Sequence, residues 1–275
     1  MELGEVRELS FDEWPDIPDT IYKYRIWNDK YQKTILTERI VFMAPPTSFE
    51  DKRDCKLLKR YDLMTEKDIY EKYFMVSKKE HPNWTRQQHR KFARDWTKNS
   101  PLKNHDFVKK QQEEDFLEYD KRFGVLSLTA NFANLDMWNK YSGNGSGFCA
   151  GFDPKILFNH LGGGGPVQYY DKLPDILHND KFEVERFKQV FSKERKWEFE
   201  QEYRTHKFYP APATIDDRQI EIPTEAYKEV IFGWNTDEET KGQIMGVCEN
   251  QNLQVEFKIC SMTNGQLEIK SLTNN

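Results

Sequence analysis

Three charged residues alternate late in the chain: Glu200, Glu202 and Arg204, within the segment 197–204 that reads WEFEQEYR. Successive side chains of a β-strand point to opposite faces, so a strand here would place both carboxylates and the guanidinium on one face. A fixed carboxylate stabilises a developing positive charge, and a guanidinium binds phosphate. The segment could therefore support charge-based chemistry, or form a surface ion-pair ladder, which contributes little to stability.

The elements that must position these residues predict an α+β fold, with a mixed β-sheet core and flanking helices. Strands are expected at 21–25, 39–43, 124–129, 148–153, 167–170, 197–208, 219–222 and 266–271. A helix is expected at 181–196, directly before the strand at 197–208. A strand at 228–233, a helix at 237–250 and a strand at 253–259 predict a βαβ unit with a right-handed crossover. We expect one α+β domain over 1–275.

Residues 57–122 differ in character, because long charged segments replace the short aromatic strands. Helices are expected at 62–76, 85–97 and 104–121. Thr65 with Asp68 has the spacing of a capping box, and Thr85 with Gln88 repeats that spacing. We interpret 57–122 as a helical insertion within the domain.

Within the insertion, residues 77–110 carry ten Lys or Arg residues against three Asp or Glu residues. Four aromatic residues are interleaved with them: Trp84, Phe92, Trp96 and Phe107. Basic residues track phosphates and aromatic rings stack on bases, so this segment could bind nucleic acid. The alternative is a solvated helical face whose aromatic residues form a core of their own.

Composition excludes several classes of protein. The net charge of -5 argues against a surface that is basic throughout, as a general nucleic-acid or membrane binder would have. The four cysteines and six histidines show no metal-binding spacing, so no metal site is expected. No apolar run has the length of a signal peptide or a membrane helix, so we expect a cytoplasmic protein with no membrane contact. No protein partner is indicated.

Six segments, taken in order, are similar to an uncharacterised bacterial family, the domain of unknown function numbered 2971. The matching residues are Tyr22-Lys23-Tyr24-Arg25, Pro45-x-x-Ser48-Phe49-x-Asp51, Met137-Trp138-x-x-Tyr141, Gly147-Phe148-Cys149-x-Gly151-Phe152-Asp153, Trp197-x-x-Glu200-x-Glu202-Tyr203-Arg204 and Lys228-Glu229-Val230-Ile231-Phe232-Gly233. The resemblance leaves out the insertion and the first 20 residues. The family often places a histidine where this chain has Asn144, so a mechanism that needs that histidine would fail here.

The order of these elements also resembles NAD-dependent ADP-ribosyltransferases, in which a late strand glutamate stabilises an oxocarbenium-like ribosyl cation. The resemblance implies an enzyme that uses NAD and acts as a bacterial defence or toxin effector. Its catalytic glutamate would be Glu229 or Glu202. Its cofactor-binding residues would be Tyr22, Tyr24, Arg25, Ser48, Tyr141 and Arg204. For Arg204, pairing with Glu202 remains the alternative to binding phosphate.

A second hypothesis is a non-enzymatic module that senses nucleotides or nucleic acid through the basic insertion. We expect Arg204 and at least one of Glu202 and Glu229 to line one cleft with Tyr24 or Arg25. Clustering of Tyr24, Arg25 and a late glutamate around one cleft would favour the enzyme. We further expect Trp138, Tyr141, Phe148 and Phe152 to be largely buried, because large aromatic residues supply most of the available apolar burial.

Overall fold

The fold was obtained as a computed structural model, which describes residues 17–263 and 266–272. The strands are β1 Ile21–Arg25, β2 Ile40–Phe42, β3 Phe123–Thr129, β4 Phe148–Phe152, β5 Gly165–Pro166, β6 Gln168–Tyr170, β7 Ser192–Glu194, β8 Glu202–Phe208, β9 Gln219–Glu221, β10 Tyr227–Phe232, β11 Glu256–Thr263 and β12 Gln266–Ser271. The helices are α1 Thr34–Thr37, α2 Glu66–Glu80, α3 Arg86–Lys98, α4 His105–Arg122, α5 Leu135–Tyr141, α6 Pro154–Leu161, α7 Phe182–Phe191 and α8 Glu238–Asn250.

The core is a mixed eight-stranded sheet in the order β12-β11-β10-β4-β1-β3-β8-β5, with helices around it. The α+β fold class is thus confirmed. Within this sheet β10 and β11 run parallel and are joined through α8, as the βαβ prediction requires. The other pairs recorded for the eight strands are antiparallel.

Apolar side chains form clusters on the sheet. The largest cluster contains Phe148 and Phe152 of β4, both fully buried. A second cluster places the fully buried Trp138 of α5 beside Tyr24, with the two rings edge to face at 5.0 Å between centroids. The predicted burial is therefore confirmed for Trp138, Phe148 and Phe152. Tyr141 is only half-buried, because it faces an opening in the sheet.

That opening arises because β1 and β3 separate. In the described chain, β1 pairs with β3 at the single position where Tyr22 lies opposite Thr129. By contrast, all five residues of β1 pair with β4. Beyond Tyr22 the two strands leave a gap, and the candidate site lies there.

The helices of the insertion begin where capping residues end the preceding loop. Thr65 and Thr85 each accept a hydrogen bond from the backbone N–H three residues on, and each is part of a complete capping box. Helices α2 and α3 pack against each other, with Ser77 Oγ and His89 Nδ1 at 3.0 Å. Helix α4 instead leads directly into β3, and Tyr119 stacks on Phe123 at 4.4 Å between ring centroids.

The segment 197–208 is not one strand, which corrects the sequence prediction. Residues Arg195–Glu200 form a 3-10 helix, Gln201 has a left-handed backbone with φ of 41°, and β8 begins at Glu202. The preceding helix, expected to reach residue 196, ends at Phe191 and gives way to β7. The local sequence pattern does not predict this arrangement, because the side chains of Lys193, Glu200, Glu202 and Arg204 form a buried ionic cluster.

Candidate functional site

A cavity of about 420 Å³ occupies the gap between β1 and β3. Its walls are the facing edges of these strands, the loop after β2, the end of α5 and the segment from β7 to the start of β8. Tyr22, Tyr24, Arg25, Ser48, Tyr141 and Glu202 are the predicted site residues that line it. The cleft thus brings together the early strand and one of the two late glutamates, whereas Glu229 and Arg204 are not among its lining residues.

The buried guanidinium of Arg204 binds the carboxylates at the floor of the cleft. Its Nε and Nη2 donate to the two carboxylate oxygens of Glu202 at 2.7 and 2.8 Å. Its Nη1 and Nη2 donate to the two oxygens of Asp54 at 2.8 and 2.7 Å. Nη1 also donates to the carbonyl of Val190 at 2.8 Å. Arg204 is fully buried and its donors are occupied, so it holds Glu202 and Asp54 in place and does not face the cleft.

Lys193 of β7 ties a third carboxylate into the cluster. Its Nζ donates to Glu200 at 2.5 Å and to Glu202 at 2.8 Å, and lies 3.5 Å from Asp54. All of these side chains are at least nine-tenths buried. When ionised, the three carboxylates outnumber Lys193 and Arg204, and the cluster carries one net negative charge at the floor of the cleft.

The charge state of Glu202 follows from these contacts. Burial by itself would raise the pKa of the Glu202 carboxyl, but the charges of Arg204 and Lys193 outweigh it and hold that pKa well below its usual range. Burial likewise disfavours the charged amine of Lys193, yet its carboxylate neighbours, Glu202 first, raise the pKa of Lys193 above its usual range. Glu202 is therefore a permanent anion at neutral pH.

Glu200 connects the cluster to Tyr141 at the end of α5. The Tyr141 hydroxyl donates to Oε1 of Glu200 at 3.1 Å, while Lys193 holds Oε2. Burial, and then the charge of Glu200, raise the pKa of Tyr141 to about 12, so the phenol stays protonated. Tyr141 is thus a fixed hydroxyl donor at the cleft wall.

Two cations of β1 face the cleft, and neither has a carboxylate partner in the part of the chain that the structure describes. Among the described residues, neither Lys23 nor Arg25 forms an ion pair within 4.0 Å. Lys23 Nζ donates to the carbonyl of Ser127, so its side chain bridges the gap that strand pairing leaves open. Arg25 donates to the carbonyl of Tyr24 at 3.2 Å. Such cations are available to an anionic ligand.

The pKa values of Lys23 and Arg25 reflect this shortage of counter-charge. Burial, and then repulsion by Arg25, lower the pKa of Lys23 to about 7, although Glu202 and Glu200 partly oppose the shift. Burial also lowers the pKa of Arg25 to about 10, and Asp29 partly opposes it. Lys23 is therefore only partly charged at neutral pH, unlike Lys193 in the same cleft.

The loop after β2 and the 3-10 helix supply an aromatic rim. Trp197 is half-buried and its indole N–H donates to Asp51 at 2.9 Å. The ammonium of Lys140 lies 4.6 Å from the centre of that ring. Phe49 is also half-buried and lies 5.8 Å from the Arg204 guanidinium, measured to its ring centre. Ser48 is exposed at the rim, where its hydroxyl donates to the carbonyl of Pro45 at 2.7 Å.

Glu229 lies away from the cleft, although it contacts a cleft residue. Its Oε1 accepts from the Tyr22 hydroxyl at 2.8 Å, and its Oε2 accepts from Lys258 at 2.5 Å. Gly151 on the intervening strand makes the contact possible, since a Cβ there would lie 2.7 Å from Cγ of Glu229. Glu229 thus positions Tyr22, and neither of its oxygens is directed at the cavity.

Sequence reasoning missed three residues of the site, Lys23, Asp54 and Lys193, and it named Glu200 as a candidate charge without giving it a role in the site. Lys23 and Glu200 were visible as charges inside the quoted motifs. Asp54 lies three residues beyond the quoted segment that ends at Asp51. Lys193 could not be identified as a site residue, because residue 193 lies within the helix predicted at 181–196.

Two further findings concern the described residues. No group of three or more His, Cys, Asp or Glu side chains in 17–263 and 266–272 is arranged to hold a metal ion. In the same ranges, no helix has the length and apolar character needed to cross a membrane.

Comparisons with family models, curated proteins and solved structures gave no match for this chain. The family resemblance drawn from the motifs therefore stays a prediction.

Proposed function

We propose that the cleft between β1 and β3 binds NAD, and that the protein is an ADP-ribosyltransferase-like enzyme. One observation carries the proposal: two cations without carboxylate partners among the described residues, Lys23 and Arg25, face a cavity whose floor carries an ionised carboxylate cluster. A pyrophosphate needs the first feature and a ribosyl cation needs the second.

Lys23 and Arg25 hold the pyrophosphate in this proposal. Both lie on β1 where it has left β3, so a ligand can approach them without breaking a strand pair. An anion placed between them relieves their mutual repulsion and adds a counter-charge beside Lys23. A cavity of about 420 Å³ is within the usual range of roughly 300–1,000 Å³ for small-molecule sites.

Glu202, with Glu200 beside it, stabilises the reacting centre. The bond between the ribose C1′ and the nicotinamide nitrogen breaks, and its electron pair neutralises the pyridinium. Positive charge then develops at C1′, where a carboxylate that is already ionised and fixed lowers the barrier electrostatically. An acceptor nucleophile bonds to C1′ and releases its proton. Arg204 and Lys193 keep Glu202 ionised and immobile, so that no reorganisation is needed at the moment of reaction.

The test measures nicotinamide release and transfer of labelled ADP-ribose by the wild type and by Glu202→Gln, Glu200→Gln and Glu229→Gln. We expect the changes at 202 and 200 to abolish turnover. We expect Glu229→Gln to retain a measurable part of it, because Glu229 acts only through Tyr22. Circular dichroism checks that Glu202→Gln, which loses a buried ion-pair partner, still folds.

Binding provides a second readout that does not depend on the acceptor. Calorimetry with NAD should show weaker binding to Lys23→Met and Arg25→Gln, and unchanged binding to Lys172→Met, an exposed lysine outside the cleft. Failure of the folded wild type to bind NAD would overturn the proposal.

The second candidate is a module that senses a nucleotide in this cleft without catalysis. It is favoured by one observation: each oxygen of Glu200 and Glu202 already accepts a hydrogen bond from the protein. Carboxylates whose oxygens are all engaged by the protein suit a structural role. NAD binding with no turnover by the wild type, and equal binding by Glu202→Gln, would select this candidate.

A further inference from the structure

We propose that the outer face of α3 binds the phosphate backbone of a nucleic acid, independently of the cleft. The face is formed by Arg86, Arg90, Lys91, Arg94 and Lys98, which we call the α3 basic face. All five residues are exposed. Among the described residues, none of the five forms an ion pair or a side-chain hydrogen bond.

Helix geometry places these residues on one side. At 3.6 residues per turn, Arg86, Arg90, Arg94 and Lys98 follow one another at about 40° steps and Lys91 lies beside them, so the five occupy an arc of about 140°. The single acidic residue of α3, Asp95, lies outside that arc. The four residues spaced at i, i+4 form a row about 18 Å long, with one charge about every 6 Å.

Aromatic residues in and beside α3 pack on the side of the helix opposite the α3 basic face. Trp84 and Phe92 contact each other at 5.9 Å, and Trp96 contacts Tyr73 of α2 at 5.5 Å, between ring centroids. His89 is buried against Ser77. These rings belong to the interface between α2 and α3, so the aromatic residues are not a platform for stacking bases. The sequence alternative is thus supported for Trp84, Phe92 and Trp96, whereas Phe107 of α4 is exposed and the basic residues remain unexplained.

Solubility alone does not require this arrangement. Residues 77–110 hold ten of the chain's 41 Lys and Arg residues but three of its 46 Asp and Glu residues, which leaves 31 basic and 43 acidic residues elsewhere. A row of like charges at i, i+4 spacing opposes helix formation. A polyanion removes that repulsion, and a nucleic-acid backbone presents phosphates at comparable intervals.

The same face fits a membrane surface poorly. Helices that lie on membranes pair a basic face with an apolar face that enters the lipid. Here the apolar side of α3 is packed on α2, and the residues between the basic ones in the arc are Gln87 and Thr97. The charge complementarity therefore favours a nucleic acid over anionic lipid.

The test is fluorescence anisotropy with labelled single-stranded and duplex oligonucleotides of mixed sequence, at several salt concentrations. The variant Arg90→Gln/Arg94→Gln/Lys98→Gln should bind at least tenfold more weakly than the wild type. The slope of log affinity against log salt should fall by about 0.7–0.9 for each lost phosphate contact. A matched control, Lys30→Gln/Lys172→Gln/Lys181→Gln, removes the same charge from exposed lysines outside the insertion and should bind as the wild type does.

Three results would overturn the proposal. The first is no oligonucleotide binding by the wild type at low salt. The second is an equal loss of affinity in the matched control, which would indicate a general charge effect. The third is binding to vesicles of anionic lipid in place of oligonucleotides. Thermal unfolding confirms that both variants are folded, which is expected because the substituted side chains are exposed.

Discussion

Arg204 and Glu202 lie two positions apart on β8, and the guanidinium binds both oxygens of that carboxylate at 2.7 and 2.8 Å. Both side chains are buried, and the same guanidinium also binds both oxygens of Asp54, 150 residues earlier in the chain. One arginine therefore fixes two carboxylates from distant segments and closes the floor of the cleft. Its contribution is to position Glu202, since it is shielded from any ligand.

Loss of this arginine should be far more damaging than loss of a surface arginine. Arg204→Met leaves Glu202 and Asp54 buried without their main counter-charge, so we expect the free energy of unfolding to fall by about 3–5 kcal/mol. Urea denaturation monitored by circular dichroism measures it. Arg195→Met breaks an exposed pair with Asp171 and serves as the control, with a much smaller effect expected. Equal effects would show that the buried cluster is not structurally important.

Acid should weaken the cluster through Glu202. The folded-state pKa of Glu202 lies below its unfolded value of about 4.3, so its contribution to stability is fully present above that pH. The contribution is lost as the pH falls below about 4 toward the folded-state pKa. Urea midpoints measured between pH 3 and 6 should therefore fall less steeply with acid for Glu202→Gln than for the wild type. Parallel curves would contradict the assignment.

The second apolar cluster, which contains Trp138 and Tyr24, depends on Trp138. This side chain is fully buried, and its indole N–H donates to the carbonyl of Phe132 at 2.9 Å. Trp138→Ala removes this ring and leaves a cavity, so we expect a loss of about 3–5 kcal/mol in the free energy of unfolding. Trp96→Ala is the control, because the Trp96 side chain is 45% exposed. Similar losses at both positions would contradict the buried role of Trp138.

Local sequence patterns predicted the elements that local interactions determine. Thr65 and Thr85 cap their helices as expected, and the βαβ unit from β10 to β11 follows the alternation of apolar segments. The predicted convergence of the early strand with a late glutamate holds for Glu202, which lines the cleft with Tyr24 and Arg25. Arg204 and Glu229 were also proposed as ligand-facing, and both instead bind neighbouring side chains.

The remaining errors share one physical cause. The strand predicted at 197–208 begins only at Glu202. Lys193 binds Glu200 within the buried cluster, and the left-handed backbone of Gln201 turns the chain between Glu200 and β8. No local pattern signals Lys193, whose partners lie in other elements. The cleft itself follows from the separation of β1 and β3, which depends on pairing partners far apart in the chain. Such long-range contacts determine the site and escape a reading of local periodicity.

The α2–α3 hairpin should be removable without loss of the core, which refines the predicted insertion at 57–122. The Cα atoms of Tyr61–Leu63 and Pro101–Lys103 come within 8 Å of one another, so a short glycine-serine linker can replace 65–99. Loop closure costs little under these conditions. We expect a folded protein that still binds the cleft ligand, as measured by circular dichroism and calorimetry.

Helix α4 provides the contrast, because Phe116 is buried and Tyr119 stacks on Phe123 at the start of β3. Phe116→Ala should destabilise the full-length protein by about 3–5 kcal/mol.

If the deletion of the α2–α3 hairpin unfolds the protein, the hairpin is integral to the core and the boundary is wrong.

Ligand binding in the cleft should depend on pH through Lys23. The pKa of its amine is lowered to about 7 by burial and by the charge of Arg25, so the free protein loses this positive charge as the pH rises through 7. A bound phosphate stabilises the ammonium and raises its pKa, so affinity should fall by up to about tenfold for each pH unit above 7, until the pKa of the complex is reached. Calorimetry with NAD between pH 6 and 9 measures the slope. Lys23→Arg keeps the charge over that range and should bind with little pH dependence, whereas Lys23→Met should bind weakly throughout. A wild-type affinity that is constant from pH 6 to 9 would show that Lys23 does not contact the anion.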